Sequence, residues 1–182
     1  KILPHAFENC SNLTEINILN TVNAIGWATF SGCSNLREIN LANSVTRIDS
    51  HAFAHCLSLT NISIPNGVTK IDSHTFSGCS SLREVAIPDN VTEIGDCAFE
   101  DCSSLTEIVI PNNVTKIGSF AFSRCSNLKK IDISSSVREI GHSAFSQCSN
   151  LAEIKIPNGV TKIDSFTFSD CSNLSKVRIP RS

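Results

Sequence analysis

Apolar residues along this chain follow a spacing that fits neither an amphipathic helix nor an alternating strand. A helix would place them at intervals of three and four residues, and a half-buried strand at intervals of two. In residues 102–122, CSSLTEIVIPNNVTKIGSFAF, the intervals are instead 3, 2, 4, 3, 4 and 1. These apolar residues are Leu105, Ile108, Ile110, Val114, Ile117, Ala121 and Phe122. The same spacing occurs in residues 79–99 and again in residues 125–145, so it belongs to a repeating unit.

This repeating unit organises the whole chain. Its consensus is C-S-x-L-x-x-I-x-I-P-x-x-V-x-x-I-G/D-x-x-A/T-F-x-x, and eight copies follow one another without insertion. Phenylalanine recurs at Phe7, Phe30, Phe53, Phe76, Phe99, Phe122, Phe145 and Phe168, and cysteine at Cys10, Cys33, Cys56, Cys79, Cys102, Cys125, Cys148 and Cys171. One unit is too short to bury its own apolar side chains, whereas stacked units share an interior. The repeat therefore predicts a solenoid.

Each unit also predicts its own local structure. The x-x-I-x-I segment has strand alternation, with Ile108 and Ile110 inward and Glu107 and Val109 outward. The proline and the two residues after it are typical of the turn that ends a strand. The V-x-x-I segment predicts a short extended or 3₁₀ piece, and A-F-x-x-C-S-x-L a short helical turn that points Phe, Cys and Leu inward. Stacking then aligns eight parallel strands in one sheet.

The repeat resembles a known family. The residues L-T-E-I-V-I, at 105–110, resemble the leucine-rich-repeat strand motif, and the following P-x-x-V-x-x-I-G-x-x-A-F-x-x-C resembles the BspA-like class with 23-residue units. This resemblance implies a right-handed coil with one parallel strand per repeat and short 3₁₀ or helical turns on the opposite side. It also implies a cell-surface or secreted protein that functions in adhesion or host-protein binding. We expect residues 1–182 to form a single solenoid domain of about eight repeats, a fragment of a longer protein without caps.

Composition narrows the choice of partner. The net charge is only −2, so no strong positive field favours nucleic acid. No apolar run approaches the roughly 18 residues that a membrane span needs. We therefore expect neither nucleic-acid binding nor membrane insertion.

The eight cysteines of the repeat column are predicted to be small buried residues and not disulfides. Neighbouring thiols would lie about 4.8 Å apart with parallel Cα–Cβ vectors, whereas a disulfide needs facing Cβ atoms about 3.8 Å apart. The ninth cysteine, Cys97, falls in a column that varies along the chain and that we expect to be partly exposed. Other members of this column are Ala28, His51, His74, Phe120, Ser143 and Phe166. Two interpretations of Cys97 remain open: a neutral substitution at a variable site, and a reactive thiol or intermolecular disulfide.

Candidate chemistry is sparse. The residues His51, His55 and His74 are the best candidates for metal binding, but zinc needs about four converging ligands and Cys97 lies two coils from His51, about 10 Å away. The serines occupy consensus positions of the repeat, and there are no paired carboxylates, phosphate-binding glycine loops or cofactor motifs. We expect no enzyme activity, no cofactor and no metal site.

Binding specificity is expected in the outward strand columns, because the repeated positions are used by the fold. We predict a partner-binding surface formed by Glu107, Val109, Lys130, Asp132, Glu153, Lys155, Lys176 and Arg178. Charge is uneven: residues 1–123 hold 6 Lys/Arg and 12 Asp/Glu, a balance of −6, whereas residues 124–182 hold 9 and 5, a balance of +4. The basic bias is either an incidental property of a solvated face or a patch for an acidic partner, such as a sulfated glycan or an acidic protein segment.

Two functions follow from this pattern. The first is a non-catalytic binding module of a cell-surface or secreted protein that presents its strand face to a protein or glycan. The second is a structural spacer or a self-associating repeat array in a longer surface protein, which would pair end to end or through exposed sheet edges.

Overall fold

The chain completes one coil in each repeat and stacks every coil on the one before it. A computed structural model describes residues 1–180. Eight strands form one row along the stack: β1 (Glu15–Ile18), β3 (Glu38–Leu41), β5 (Asn61–Ser63), β7 (Glu84–Ala86), β9 (Glu107–Val109), β11 (Lys130–Asp132), β13 (Glu153–Lys155) and β14 (Lys176–Arg178). Six shorter strands form a second row: β2 (Ala24–Ile25), β4 (Arg47–Ile48), β6 (Lys70–Ile71), β8 (Glu93–Ile94), β10 (Lys116–Ile117) and β12 (Glu139–Ile140). The predicted strand in each repeat is confirmed, and the V-x-x-I segment is extended in six coils.

All strand pairs are parallel, and their register is one repeat. Ile16 lies beside Ile39, and Ile108 lies beside Ile131. The first row is divided, however, into the ladders β1–β3, β5–β7, β9–β11 and β13–β14, while β6, β8, β10 and β12 of the second row form one continuous sheet. The eight strands are therefore those predicted, but hydrogen bonds join them in pairs and not as one sheet.

The interior is a set of apolar columns, one residue per coil. The phenylalanine rings of neighbouring coils stack nearly parallel with centroids 5.3–5.6 Å apart along the whole series from Phe7 to Phe168. Six of these phenylalanines, from Phe30 to Phe145, are fully buried. Strand alternation is also as predicted, because Ile108 and Ile110 are 3% and 2% exposed whereas Val109 is 63% exposed.

The predicted helical turn after each phenylalanine is wrong, since the segment forms a chain of tight turns and residues 1–180 contain no helix. Two residues in each coil have left-handed backbone conformation, for example Phe120 (φ 56°) and Arg124 (φ 60°). Alternate N–H groups consequently point in different directions. Ala121 donates to the carbonyl of Gly118 in its own coil, whereas Phe122 donates to the carbonyl of Ala144 in the next coil, at 2.8 Å. A right-handed helix would direct all of these N–H groups along its own axis and lose the bonds between coils.

The cysteine column is buried and unbridged, as predicted. All nine cysteines are free, and the seven column members from Cys33 to Cys171 are buried. Cys10 differs from the prediction: it is exposed, because the coil that contains it is covered on one side only. Each buried thiol also donates a hydrogen bond at 3.1–3.2 Å to the carbonyl of the phenylalanine 26 residues earlier, as Cys102 does to Phe76. The cysteine therefore acts as a donor between coils as well as a small apolar residue.

Thiol labelling of the native protein tests this arrangement. Cys10 should react rapidly, and the seven buried cysteines only after unfolding, because burial excludes the reagent and raises the pKa of thiols such as Cys79, to about 12. Mass spectrometry of the labelled chain would identify the modified sites. Rapid native modification throughout the column would contradict the structure.

Truncation of one column thiol measures its contribution to stability. We expect Cys102→Ala to lower the free energy of unfolding by about 1–3 kcal/mol, since it removes buried volume and a hydrogen bond between coils. Urea denaturation gives the value, and Cys10→Ala at the exposed position is the matched control, with an expected change within about 0.5 kcal/mol. Equal effects of the two substitutions would show that the thiol column does not stabilise the stack.

Candidate binding surface

The strand face, which we define as the outward side of the eight strands of the first row, carries all the residues predicted to bind a partner. Glu107, Val109, Lys130, Asp132, Glu153, Lys155, Lys176 and Arg178 are exposed on β9, β11, β13 and β14. The register places Lys130 beside Glu107, and Arg178 beside Lys155. The strand face therefore brings these side chains together in neighbouring pairs.

A recess between β11 and β13 lies at the centre of the predicted surface. It encloses about 210 Å³ and is lined by Lys130, Ile131, Asp132, Glu153, Ile154, Lys155 and Arg178. It forms where two ladders meet without hydrogen bonds between their strands. We call it the basic recess, because three of its five charged residues are cationic.

The cations of the basic recess differ in their surroundings. Lys130 forms an ion pair with Asp132 at 3.0 Å, and the hydrogen bond from Lys130 to Asp132 raises the pKa of the lysine. Lys155 and Arg178 form no ion pair with another residue of the described chain. Positive charge beside these two residues is therefore available to an anionic group.

A second recess, between β7 and β9, has different chemistry. It encloses about 430 Å³ and is lined by Glu84, Val85, Ala86, Ile87, Asp89, Glu107, Ile108, Val109 and Pro111. Of these residues, only Glu107 and Val109 were predicted from the sequence to bind a partner. Ala86 was the sequence signal for an apolar recess at this place, because Ala86 and Val109 interrupt a column of polar or charged residues. The other members of that column are Asn17, Asn40, Ser63, Asp132, Lys155 and Arg178. The strand face thus offers an apolar, acid-rimmed recess next to the basic one.

The variable column around Cys97 lies on the other side of the coil, which we call the turn side because it contains the left-handed residues. The rings of His51 and His74 stack there with centroids 4.4 Å apart. His55 belongs to the second left-handed column and is exposed. Cys97 is half-buried, which agrees with the partial exposure predicted for this column.

The state of the Cys97 thiol argues against a reactive nucleophile. Burial, and then the nearby Glu100 and Asp96 carboxylates, raise its pKa to about 12. Because the thiolate is the reactive form, this raised pKa lowers the reactivity of Cys97 as long as no cation is bound beside it. The structure also brings Cys97, His74 and Glu100 together, with one candidate ligand atom from each lying within 4.8 Å of the others. Sequence reasoning missed Glu100 in this group.

Residues 1–180 contain no helix that is long and apolar enough to cross a membrane.

The fold resembles that of several solved structures. A leucine-rich repeat protein from Bacteroides ovatus has a TM-score of 0.89 and 34% identity, over 92% of this chain and 46% of that one. The leucine-rich repeat protein of T. pallidum has a TM-score of 0.78 and 32% identity, over 82% of this chain and 70% of that one. A leucine rich cell surface protein from Faecalibacterium prausnitzii has a TM-score of 0.52 and 25% identity, over 100% of this chain and 77% of that one. The chain thus spans about half the length of the Bacteroides ovatus protein.

Sequence comparison agrees with the structures. Among curated proteins, none matches the chain significantly. The family described as "BspA type Leucine rich repeat region" matches in six copies, over residues 1–103 and 78–182. These matches cover the complete repeat series, and the chain therefore belongs to the BspA-type leucine-rich repeat family.

Proposed function

We propose that the chain is a non-catalytic binding module of a cell-surface or secreted protein, and that its strand face binds a protein or glycan partner. The main support is the distribution of side chains in each coil: the repeated apolar side chains are buried, whereas the strand face projects exposed side chains that change from coil to coil. The resemblance to the Faecalibacterium prausnitzii cell surface protein favours the same location for this chain.

The chemistry of the basic recess favours an anionic ligand group. Lys155 and Arg178 lie side by side across β13 and β14, and both can interact with a carboxylate or sulfate. Lys176 lies beside Glu153 on the same two strands, so it contributes less net charge. A sulfated glycan or an acidic protein segment fits this arrangement, and we propose these two ligand classes for the strand face.

Charge reversal in the basic recess tests the proposed function. We expect Lys155→Glu combined with Arg178→Glu to weaken binding to heparin, a sulfated probe, by about 10- to 100-fold, because attraction is replaced by repulsion. Surface plasmon resonance at several salt concentrations would also show binding that weakens as salt rises. Two further probes are measured alongside heparin. Dextran, a neutral glycan, tests whether the glycan backbone alone is recognised, and poly-glutamate tests whether an acidic polymer without sulfate is bound.

The matched control is Arg37→Glu combined with Arg83→Glu. It makes the same change in net charge at exposed positions of other coils. Equal loss in the two double variants would indicate a nonspecific effect of net charge. No binding to any anionic probe, together with concentration-dependent association in light scattering, would favour the spacer or self-associating array.

A further inference from the structure

His74, Cys97 and Glu100 form a cluster on the turn side, away from the strand face. His74 and Cys97 occupy the same column in successive coils, and Glu100 follows Cys97 by three residues. Candidate ligand atoms of the three side chains all lie within 4.8 Å of one another, and all three residues are half-buried. They are thus a compact group of one nitrogen, one sulfur and one oxygen ligand.

The backbone holds this cluster in place. His74 and Cys97 both have left-handed conformation, with φ of 57° and 54°. The His74 N–H donates to the carbonyl of Asp96 at 2.8 Å, and the Cys97 N–H donates to the carbonyl of Ser119 at 2.8 Å. The Glu100 N–H donates back to the carbonyl of Cys97 at 3.2 Å, which places the glutamate side chain over the same turn. The cluster therefore belongs to the rigid stack of coils and not to a free loop.

The ligand types and their number match zinc. Zn²⁺ binds imidazole nitrogen, thiolate sulfur and carboxylate oxygen at about 2.0–2.3 Å, and sites with three protein ligands keep a fourth position for water. Ligand atoms that already lie within 4.8 Å need only small side-chain rotations to surround one ion. The partial burial of the residues leaves one side open for the fourth ligand.

Charge around the cluster also favours a cation. The carboxylates of Glu100 and Asp96 both lie near the Cys97 thiol. A bound Zn²⁺ would replace the thiol proton, which is released to solvent, so that thiolate and carboxylate together balance the charge of the ion. The Nη1 atom of Arg124 lies 3.8 Å from the Oε1 atom of Glu100. Arg124 therefore competes with a bound cation for this carboxylate.

The combination occurs once in the repeat. The column of Glu100 is otherwise Glu8, Ser31, Ala54, Ser77, Ser123, Ser146 and Ser169. Only the coil of Cys97 combines a cysteine in this column, a glutamate three positions later and a histidine at the equivalent position of the preceding repeat. The His51 ring stacks on the His74 ring, with centroids 4.4 Å apart, and adds a neighbour to the imidazole. The fold does not require this combination, because the other coils lack it.

We propose that His74, Cys97 and Glu100 bind a Zn²⁺ ion, or a divalent transition metal of similar preference, with water in the remaining position. Cysteine and histidine ligands favour this class of metal over Mg²⁺ or Ca²⁺, which prefer oxygen. The site is separate from the strand face, and its test does not depend on the proposed function.

Metal titration of the purified chain tests the site directly. Isothermal titration with Zn²⁺ should show one site, and Co²⁺ should give thiolate-to-metal charge-transfer absorption together with d–d bands of a tetrahedral ion. Cys97→Ser, His74→Ser and Glu100→Gln should each weaken binding by about 100-fold or more, since loss of even an indirect partner commonly costs about 10- to 100-fold. Serine is compatible with this backbone, because Ser143 occupies the same left-handed column.

Two controls keep the result specific. His55→Gln and Cys10→Ser remove an exposed histidine and an exposed thiol outside the cluster, and should leave the affinity unchanged. Circular dichroism melting of each variant without metal shows whether it folds. Absence of zinc binding by the folded wild-type chain, zinc binding that survives Cys97→Ser, or a cobalt spectrum without the thiolate band would each overturn the proposal.

Discussion

The structure depends on the stacking of each coil against identical positions in its two neighbours. A phenylalanine such as Phe99 is fully buried because the rings of Phe76 and Phe122 cover its two faces at 5.3 Å. The backbone follows the same rule, because the Phe99 N–H donates to the carbonyl of Ala121 in the next coil. A coil alone would leave both the ring and these polar groups exposed to water. Stability is therefore a sum of contacts between neighbouring coils, as in other solenoids.

The left-handed turns have an energetic cost that this stacking offsets. A non-glycine residue in left-handed conformation costs roughly 1–2 kcal/mol, and most coils contain two of them. In return, N–H groups are directed at the adjacent coil, and the Cys Sγ donates to a carbonyl there. The turn columns are consequently constrained in backbone but not in side chain. This explains how alanine, histidine, cysteine and phenylalanine alternate in a single column without breaking the repeat.

The sequence was sufficient to predict the elements whose side chains repeat. The period of the repeat, the inward Ile108 and Ile110, the inward phenylalanines and the unbridged thiols all follow from columns of identical residues. The turn conformation was mispredicted because it is set by hydrogen bonds between coils, which no pattern within one repeat displays. Its signal was the presence of Gly32 and Gly78, both with φ of 74°, in a column otherwise filled by polar and charged residues.

The candidate sites were harder to predict for the same reason. The division of the strand row into ladders depends on hydrogen bonds between coils, so the two recesses were not foreseen. Glu100 was missed because the sequence comparison followed one column at a time, whereas the turn brings a residue three positions away into contact with the neighbouring column.

The geometry of the two surfaces leads to different modes of recognition. Side chains on the strand face project from parallel strands, so each contributes to a broad surface. Exposed charges on such a surface are individually weak and are screened by salt. Appreciable affinity then requires contacts over several coils, which makes the length of the stack part of the binding site. On the turn side, left-handed residues redirect the chain within a few positions, and side chains from two coils can converge. A solenoid built from one repeated unit thus presents an extended array of parallel side chains on its strand face and a compact group of metal-ligand side chains on its turn side.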